Sequence, residues 1–306
     1  MARTLLADSD TIVGTGDLVV RSPVPRLFWA AAVMAAAVFA AGRSFDPKLL
    51  SLAALWLMLL GGLPHGAYDI ATARRALALS NRRALLLFSL YIGVALLMAM
   101  LWTVSPGLAL SIFLASAAIH FGEDWDMLDT GLFRATAGAS VICIPAIFQP
   151  AEVGHLFLLM GGQQAETVTK IAIATAPVAI LVMLTALARA FVQGDRQWAV
   201  AQATSFVGLA VLPPILGFTL FFVFLHSPLH MREVRHSLPG WTPRRLAAYG
   251  LAICSLGLLG GFFFFEQLVS DIPEVAMANG FKVLSSLAAP HLLLHFFIKK
   301  HHPQTA

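Results

Sequence analysis

Runs of roughly twenty apolar residues recur along this chain, separated by short polar loops. In lipid every backbone N–H and C=O must find its partner within the protein, so such runs become helices or strands of a closed barrel. Their length suits helices, which cross the hydrocarbon in about twenty residues. Ten segments qualify, at roughly 25–43, 48–72, 84–104, 107–122, 132–149, 167–191, 197–212, 214–231, 246–268 and 280–298. Pro213 and Pro214 split one long stretch into the seventh and eighth, because proline cannot continue a helix interior, and the seventh is left short. A further apolar stretch at 151–160 is too short to cross; it lies in the interface or extends the fifth helix. The expected fold class is all-α: a polytopic membrane protein of about eight to ten transmembrane helices.

Charge agrees with this class. Only 12% of the 306 residues are charged and mean hydropathy is +0.80, whereas a soluble domain carries about 25% charge. The net charge of +4 does not point to nucleic acid, because the basic residues sit at helix ends, where they act as topology signals. Residues 1–24 form a mixed, polar N-terminal segment with no cleavable signal pattern. Residues 25–300 read as one domain without internal repeats. Cys143 and Cys254 lie in apolar runs, with no CxxC spacing, and read as small core residues.

Arg74, Arg75, Arg82, Arg83, Arg189, Arg196, Arg232, Arg235, Arg244, Arg245, Lys299 and Lys300 all fall on one side if both termini are cytoplasmic. Arg43 and Lys48 are exceptions, partly offset by Arg21 and Arg26. This pattern places the protein in the cell (inner) membrane as a multi-pass chain.

Against that background the histidines are anomalous. Of ten, six lie in apolar segments: His65, His120, His226, His230, His291 and His295. An ionisable side chain in hydrocarbon is costly and marks a functional site. His65 precedes Arg74 by nine residues, about 13 Å of helix. His226 precedes Arg232 by six residues, about 9 Å. His291 precedes Lys299 by eight, about 12 Å. His120 ends the fourth span. All four motifs therefore fall near the cytoplasmic ends of alternate helices, as a metal site built between helices requires.

His226 and His230 are four apart and share a helix face. Ser227-Pro228 between them can loosen the turn and re-aim His226. His65 and His120 would bring a third and a fourth ligand. Neutral imidazole ligation suits Fe(II), Zn or Cu. Asp69 follows His65 by four residues, and Glu123 and Asp124 follow His120 by three and four. Ligand histidines give their second N–H to such carboxylates. A single membrane histidine can equally hydrogen-bond a carbonyl, an HxxxH pair alone is weak, and carboxylates near the interface are commonly just solvated. The conjunction of four motifs at one depth favours a site. His155, His236, His301 and His302 are expected in loops or tails. The Phe262–Phe265 run reads as lipid-facing in preference to the lining of a polyene tunnel.

Leu63-Pro64-His65-Gly66-Ala67-Tyr68-Asp69, His120-Phe121-Gly122-Glu123-Asp124, His226-Ser227-Pro228-Leu229-His230 and Pro290-His291 resemble, in order and rough spacing, the motifs of the Brp/Blh family of bacterial and archaeal membrane β-carotene 15,15′-dioxygenases. The resemblance runs from about residue 50 to 298. It implies an iron-dependent carotenoid cleavage oxygenase that splits the central double bond of β-carotene with O₂ to give two retinal molecules. By the same resemblance, Fe(2+) is held by His65, His120, His226 and His230. His291 matches a further family histidine. His291, His295, Asp69, Glu123 and Asp124 are candidates for an additional ligand or for groups behind the ligands. Tyr68 stands where related sequences often have Leu, and Leu229 where they often have Arg, which bears on substrate choice. The implied partners are β-carotene, O₂, the bilayer and, for the retinal product, a microbial rhodopsin. Two alternatives stay open: another membrane His-cluster oxygenase, such as a carotenoid hydroxylase or lipid desaturase, and a non-enzymatic metal or haem transporter.

Overall fold

A computed structural model describes residues 23–41, 46–265, 270 and 272–301, apart from the side chains of His65 and of residues 299–301. The polar segment up to residue 22, Arg43 and His302 lie outside the described residues. Within them every regular element is helical: α1 (Arg26–Ala40), α2 (Pro47–Gly62), α3 (Asp69–Ala76), α4 (Asn81–Val104), α5 (Pro106–Phe121), α6 (Gly131–Phe148), α7 (Pro150–Gly161), α8 (Ala165–Val192), α9 (Arg196–Val211), α10 (Pro214–Phe221), α11 (Ser227–Ser237), α12 (Pro243–Phe264) and α13 (Pro273–His301).

Local sequence explains the boundaries. Pro47, Pro106, Pro150, Pro214, Pro243 and Pro273 each open a helix, where the missing N–H costs nothing. Side-chain oxygens of Asp46, Thr130 and Thr242 accept from the first-turn N–H groups of Lys48, Phe133 and Arg245. Among the described residues, eight runs are long and apolar enough to cross a membrane: Pro47–Ala76, Asn81–Val104, Pro106–Asp124, Gly131–Phe148, Pro150–Val192, Pro214–Ser237, Pro243–Phe264 and Pro273–Ile298. The remaining two segments of the sequence reading, 25–43 and 197–212, form α1 and α9. At 15 and 16 residues these reach only about 24 Å, and the interior of α9 carries the buried polar residues Gln202 and Ser205. The stretch at 151–160 becomes the separate helix α7. Gly162, at a φ of 64° open to glycine, breaks the chain before α8.

Helix contacts rest on small side chains, as expected where apolar burial gives helices no preference for each other over lipid. On α8 the buried Ala172, Ala176, Ala179, Ala186 and Ala190 recur at helical spacing, and this helix packs closely on α6. Gly138 on α6 lies against the α5 backbone at Ala118, Phe121 and Gly122, leaving no room for a Cβ. Outward-facing Leu85, Leu97, Val104, Leu181 and Phe263 form an apolar shell suited to lipid and to little else.

The basic loops gather at one end of the bundle. Arg189, closing α8, pairs with Asp129 before α6 at 3.6 Å. Trp125 packs edge-on to Trp198 at the start of α9, and the Arg232 guanidinium donates to the Pro23 carbonyl. At the other end the Gln149 amide donates to the carbonyls of Leu209 and Leu212 at 3.2 and 2.7 Å, tying the α6–α7 turn to the α9–α10 turn.

Candidate metal centre

Three of the four histidine motifs sit where regular α-helix breaks. Pro64 converts the chain after α2 to a 3₁₀ turn, Leu63–Tyr68, which holds the His65 backbone. A second 3₁₀ turn, Gly122–Asp124, follows His120 at the end of α5. Between α10 and α11, Phe222–His226 form a π turn, in which the Ser227 N–H reaches five residues back to the Phe222 carbonyl. Pro228, next in sequence, has no N–H to give. The irregular turn thus arises at the Ser-Pro step, and such turns concentrate at functional sites.

These turns bring His120, His226 and His230 together: one nitrogen from each lies within 4.8 Å of the others. His120 Nε2 and His226 Nε2 are 3.1 Å apart. Imidazoles bound to one ion at about 2.1 Å stand roughly 3.0–3.4 Å apart, so the spacing suits two ligands of a single metal. His226 is completely buried and His120 nearly so. His291, from α13, stands edge-on to His120, with ring centroids 5.2 Å apart.

Each inward-facing imidazole has a carboxylate behind it. Asp124 Oδ2 lies 2.9 Å from His226 Nδ1, and its Oδ1 lies 3.6 Å from His230 Nε2. Glu123 lies 3.4 Å from His120 Nδ1. Asp69 Oδ2 and Oδ1 lie 2.8 and 3.0 Å from His291 Nδ1. For His120, His226 and His291 the Nδ1 edge therefore meets an acid while Nε2 is turned away. This arrangement fixes the tautomer and raises the basicity of a ligand histidine. The donor set, buried nitrogen backed by carboxylate, fits a divalent first-row metal such as Fe(II).

An apolar cavity leads to this cluster. Phe113, Leu114, Phe218, Phe222, Leu284 and Leu287 line it, and His120, His291, Asp69 and Tyr91 bring polar groups to the same lining. His226 and His230 are not among its lining residues; they stand behind His120.

The residues expected from sequence distribute as follows. His120, His226 and His230 converge, with Asp124 bridging the last two. Asp69 and His291, 222 residues apart in sequence, hydrogen-bond to each other. His295 is one turn beyond His291, half-exposed, and 3.4 Å from Glu123. The His65 side chain lies outside the described residues; Gly66, next to it, approaches the His291 ring. Phe262, Phe263 and Phe264 are exposed on the outer surface and do not border the cavity. The departure at Tyr68 has a structural use: its hydroxyl donates to the Leu246 carbonyl at 2.8 Å. His155 and His236, expected in loops, are exposed on helices α7 and α11 instead. Both cysteines are free and buried.

Two further residues belong to the site. The Tyr91 hydroxyl, from α4, donates to Asp69 Oδ2 at 2.7 Å. Glu233 lies 3.3 Å from His230 Nδ1. The three-residue spacing from His230 to Glu233 was available as a signal; nothing local marks Tyr91.

The sequence profile of the family described as Beta-carotene 15,15'-dioxygenase matches residues 56–299. The chain belongs to this family. A curated relative, the Beta-carotene 15,15'-dioxygenase of uncultured marine bacterium 66A03, is 27% identical over 268 residues, covering 83% of this chain and 96% of the relative. No solved structure matches. The matched region begins within α2 and runs into the last turn of α13, and so takes in every histidine of the cluster together with the cavity that leads to it.

Proposed function

We propose that this protein cleaves the central 15,15′ double bond of β-carotene with O₂, giving two molecules of retinal. The observation that carries the reading is the apolar cavity whose lining includes His120 and His291. A C40 polyene is at home in such a cavity and in the bilayer around it. The reaction balances without other reactants: one C=C is broken, and each of its carbons takes one oxygen atom of O₂ as an aldehyde. His65, His120, His226 and His230 would hold Fe(II), which would supply the activation of O₂.

The protein's own residues bind and orient. Asp124 and Glu123 face His226 and His120 at their Nδ1 edges, keeping Nε2 of both available. Asp69 and Tyr91 hold His291 at the cavity wall. The phenylalanine and leucine walls keep water from the polyene and set which double bond lies beside His120. No proton need be taken from the substrate, so no general base is assigned. The arginine-rich end of the bundle is cytoplasmic in this reading, which places the cluster in the inner leaflet with both termini inside.

The test is expression in a bacterium that accumulates β-carotene, followed by chromatography of the extract. Carotene should disappear and retinal appear. Unchanged carotene in cells with verified protein in the membrane rules the reading out. A hydroxylase or desaturase with two irons would show two metal ions per chain, and a transporter would accumulate metal in proteoliposomes.

A further inference from the structure

Among the polar side chains around the imidazoles that do not line the cavity, exposure falls in steps. The Glu233 side chain is 70% exposed, His295 33%, Glu123 21%, His230 13%, Asp124 9% and His226 0%. The contacts form two branches that both end at the imidazoles: Glu233 to His230 at 3.3 Å, with Asp124 touching His230 and His226, and His295 to Glu123 to His120, each step 3.4 Å. None of Glu123, Glu233 or His295 borders the apolar cavity. A hydrated dication cannot approach through phenylalanine and leucine without losing its water unreplaced, which is prohibitive. Along Glu233, His295 and Glu123, by contrast, oxygen and nitrogen donors can replace water one at a time.

We infer that Glu233, His295 and Glu123 form a metal-loading port, separate from the substrate cavity, through which a divalent cation enters from the arginine-rich end of the bundle to reach His120, His226 and His230. The inference rests on the reading of those imidazoles as a metal centre. It divides the site by chemistry: an apolar polyene enters from one side of the imidazoles, and a charged ion from the other. The port residues govern how fast the metal arrives. They do not set how many ions are held.

The test uses metal-free full-length protein in nanodiscs, mixed rapidly with CoCl₂ while the visible absorbance of bound cobalt is followed. Wild type should take one cobalt per chain. With cobalt in saturating excess, the double variant Glu233→Gln/His295→Gln should reach the same final stoichiometry, about tenfold more slowly and with a shallower dependence on salt, since it lacks the steering charge. Glu233→Asp, which keeps the charge, should load close to the wild-type rate. The inference fails if the double variant loads as fast as wild type. It also fails if Glu233→Asp is as slow as the double variant, because the defect is then structural. A fall from two cobalt ions per chain to one would make the port a resident second site and overturn it likewise. Wild type that binds no cobalt would overturn the metal centre itself, and the port with it.

Discussion

The Tyr91 hydroxyl donates to Asp69 Oδ2 at 2.7 Å, joining α4 to the start of α3 beside the cavity. The same carboxylate holds His291 Nδ1, so Tyr91 acts on the cavity wall through Asp69. Tyr91→Phe removes one hydrogen bond and leaves the carboxylate on His291. The loss should be about 1 kcal/mol, roughly a fivefold lower rate of retinal formation, with metal content unchanged. Asp69→Asn should cost more, since it weakens the group facing His291 directly. Equal rates for Tyr91→Phe and wild type would detach Tyr91 from the site.

Asp124 carries a heavier role because it serves two imidazoles at once. Asp124→Asn should lower metal affinity by about 10- to 100-fold, the usual effect of losing a carboxylate behind a ligand histidine. Competition with a chelator, followed by metal analysis of the protein, reads this directly. Undiminished affinity would mean that Asp124 only packs against His226.

Replacing a ligand is the sharper change. His226→Ala or His230→Ala should abolish retinal formation and strip bound metal, while protein level in the membrane stays near wild type. Full activity in either variant would remove that residue from the ligand set.

The cavity can be tested apart from the metal. Ala117 lines it one turn before His120, and its small side chain leaves the width beside the imidazole. Ala117→Phe should raise KM for β-carotene or block turnover, with metal content at the wild-type level. Parallel loss of metal and activity would instead show a distorted α5.

Gly138 offers a test of the scaffold. A methyl group there meets the α5 backbone near Ala118 and Gly122, so Gly138→Ala should cost about 1–3 kcal/mol. A lower Tm in detergent is expected, with weaker metal retention, because α5 carries His120 and its downstream turn carries Asp124.

Much of this arrangement could be read from the residues. His226 and His230 share a helix face by spacing alone, and the basic residues beyond the His65, His226 and His291 motifs set those three at one end. Asp124 was visible as a neighbour of His120. Its actual partners, His226 and His230, were not, because the 3₁₀ turn after α5 swings it across to another helix. Tyr91 carries no local signal: it is an ordinary residue of α4, and only the packing of that helix against α3 gives it Asp69. The helix count was blurred at α1 and α9, where apolar length and crossing length diverge; α9 spends two positions on Gln202 and Ser205.

His120 and His226 are 106 residues apart in sequence, and Asp69 and His291 are 222 apart. During synthesis α5 is therefore in the bilayer long before the π turn that supplies its partner exists. The cavity wall stays open until α13, the last helix, is threaded into place. A chain ending before His226 would lack two of the proposed ligands, and an ion held there would stabilise only the assembled bundle by mass action. Metal retention would thus report on assembly within the membrane: a chain that keeps its ion would have brought α5 and the turn at His226 together.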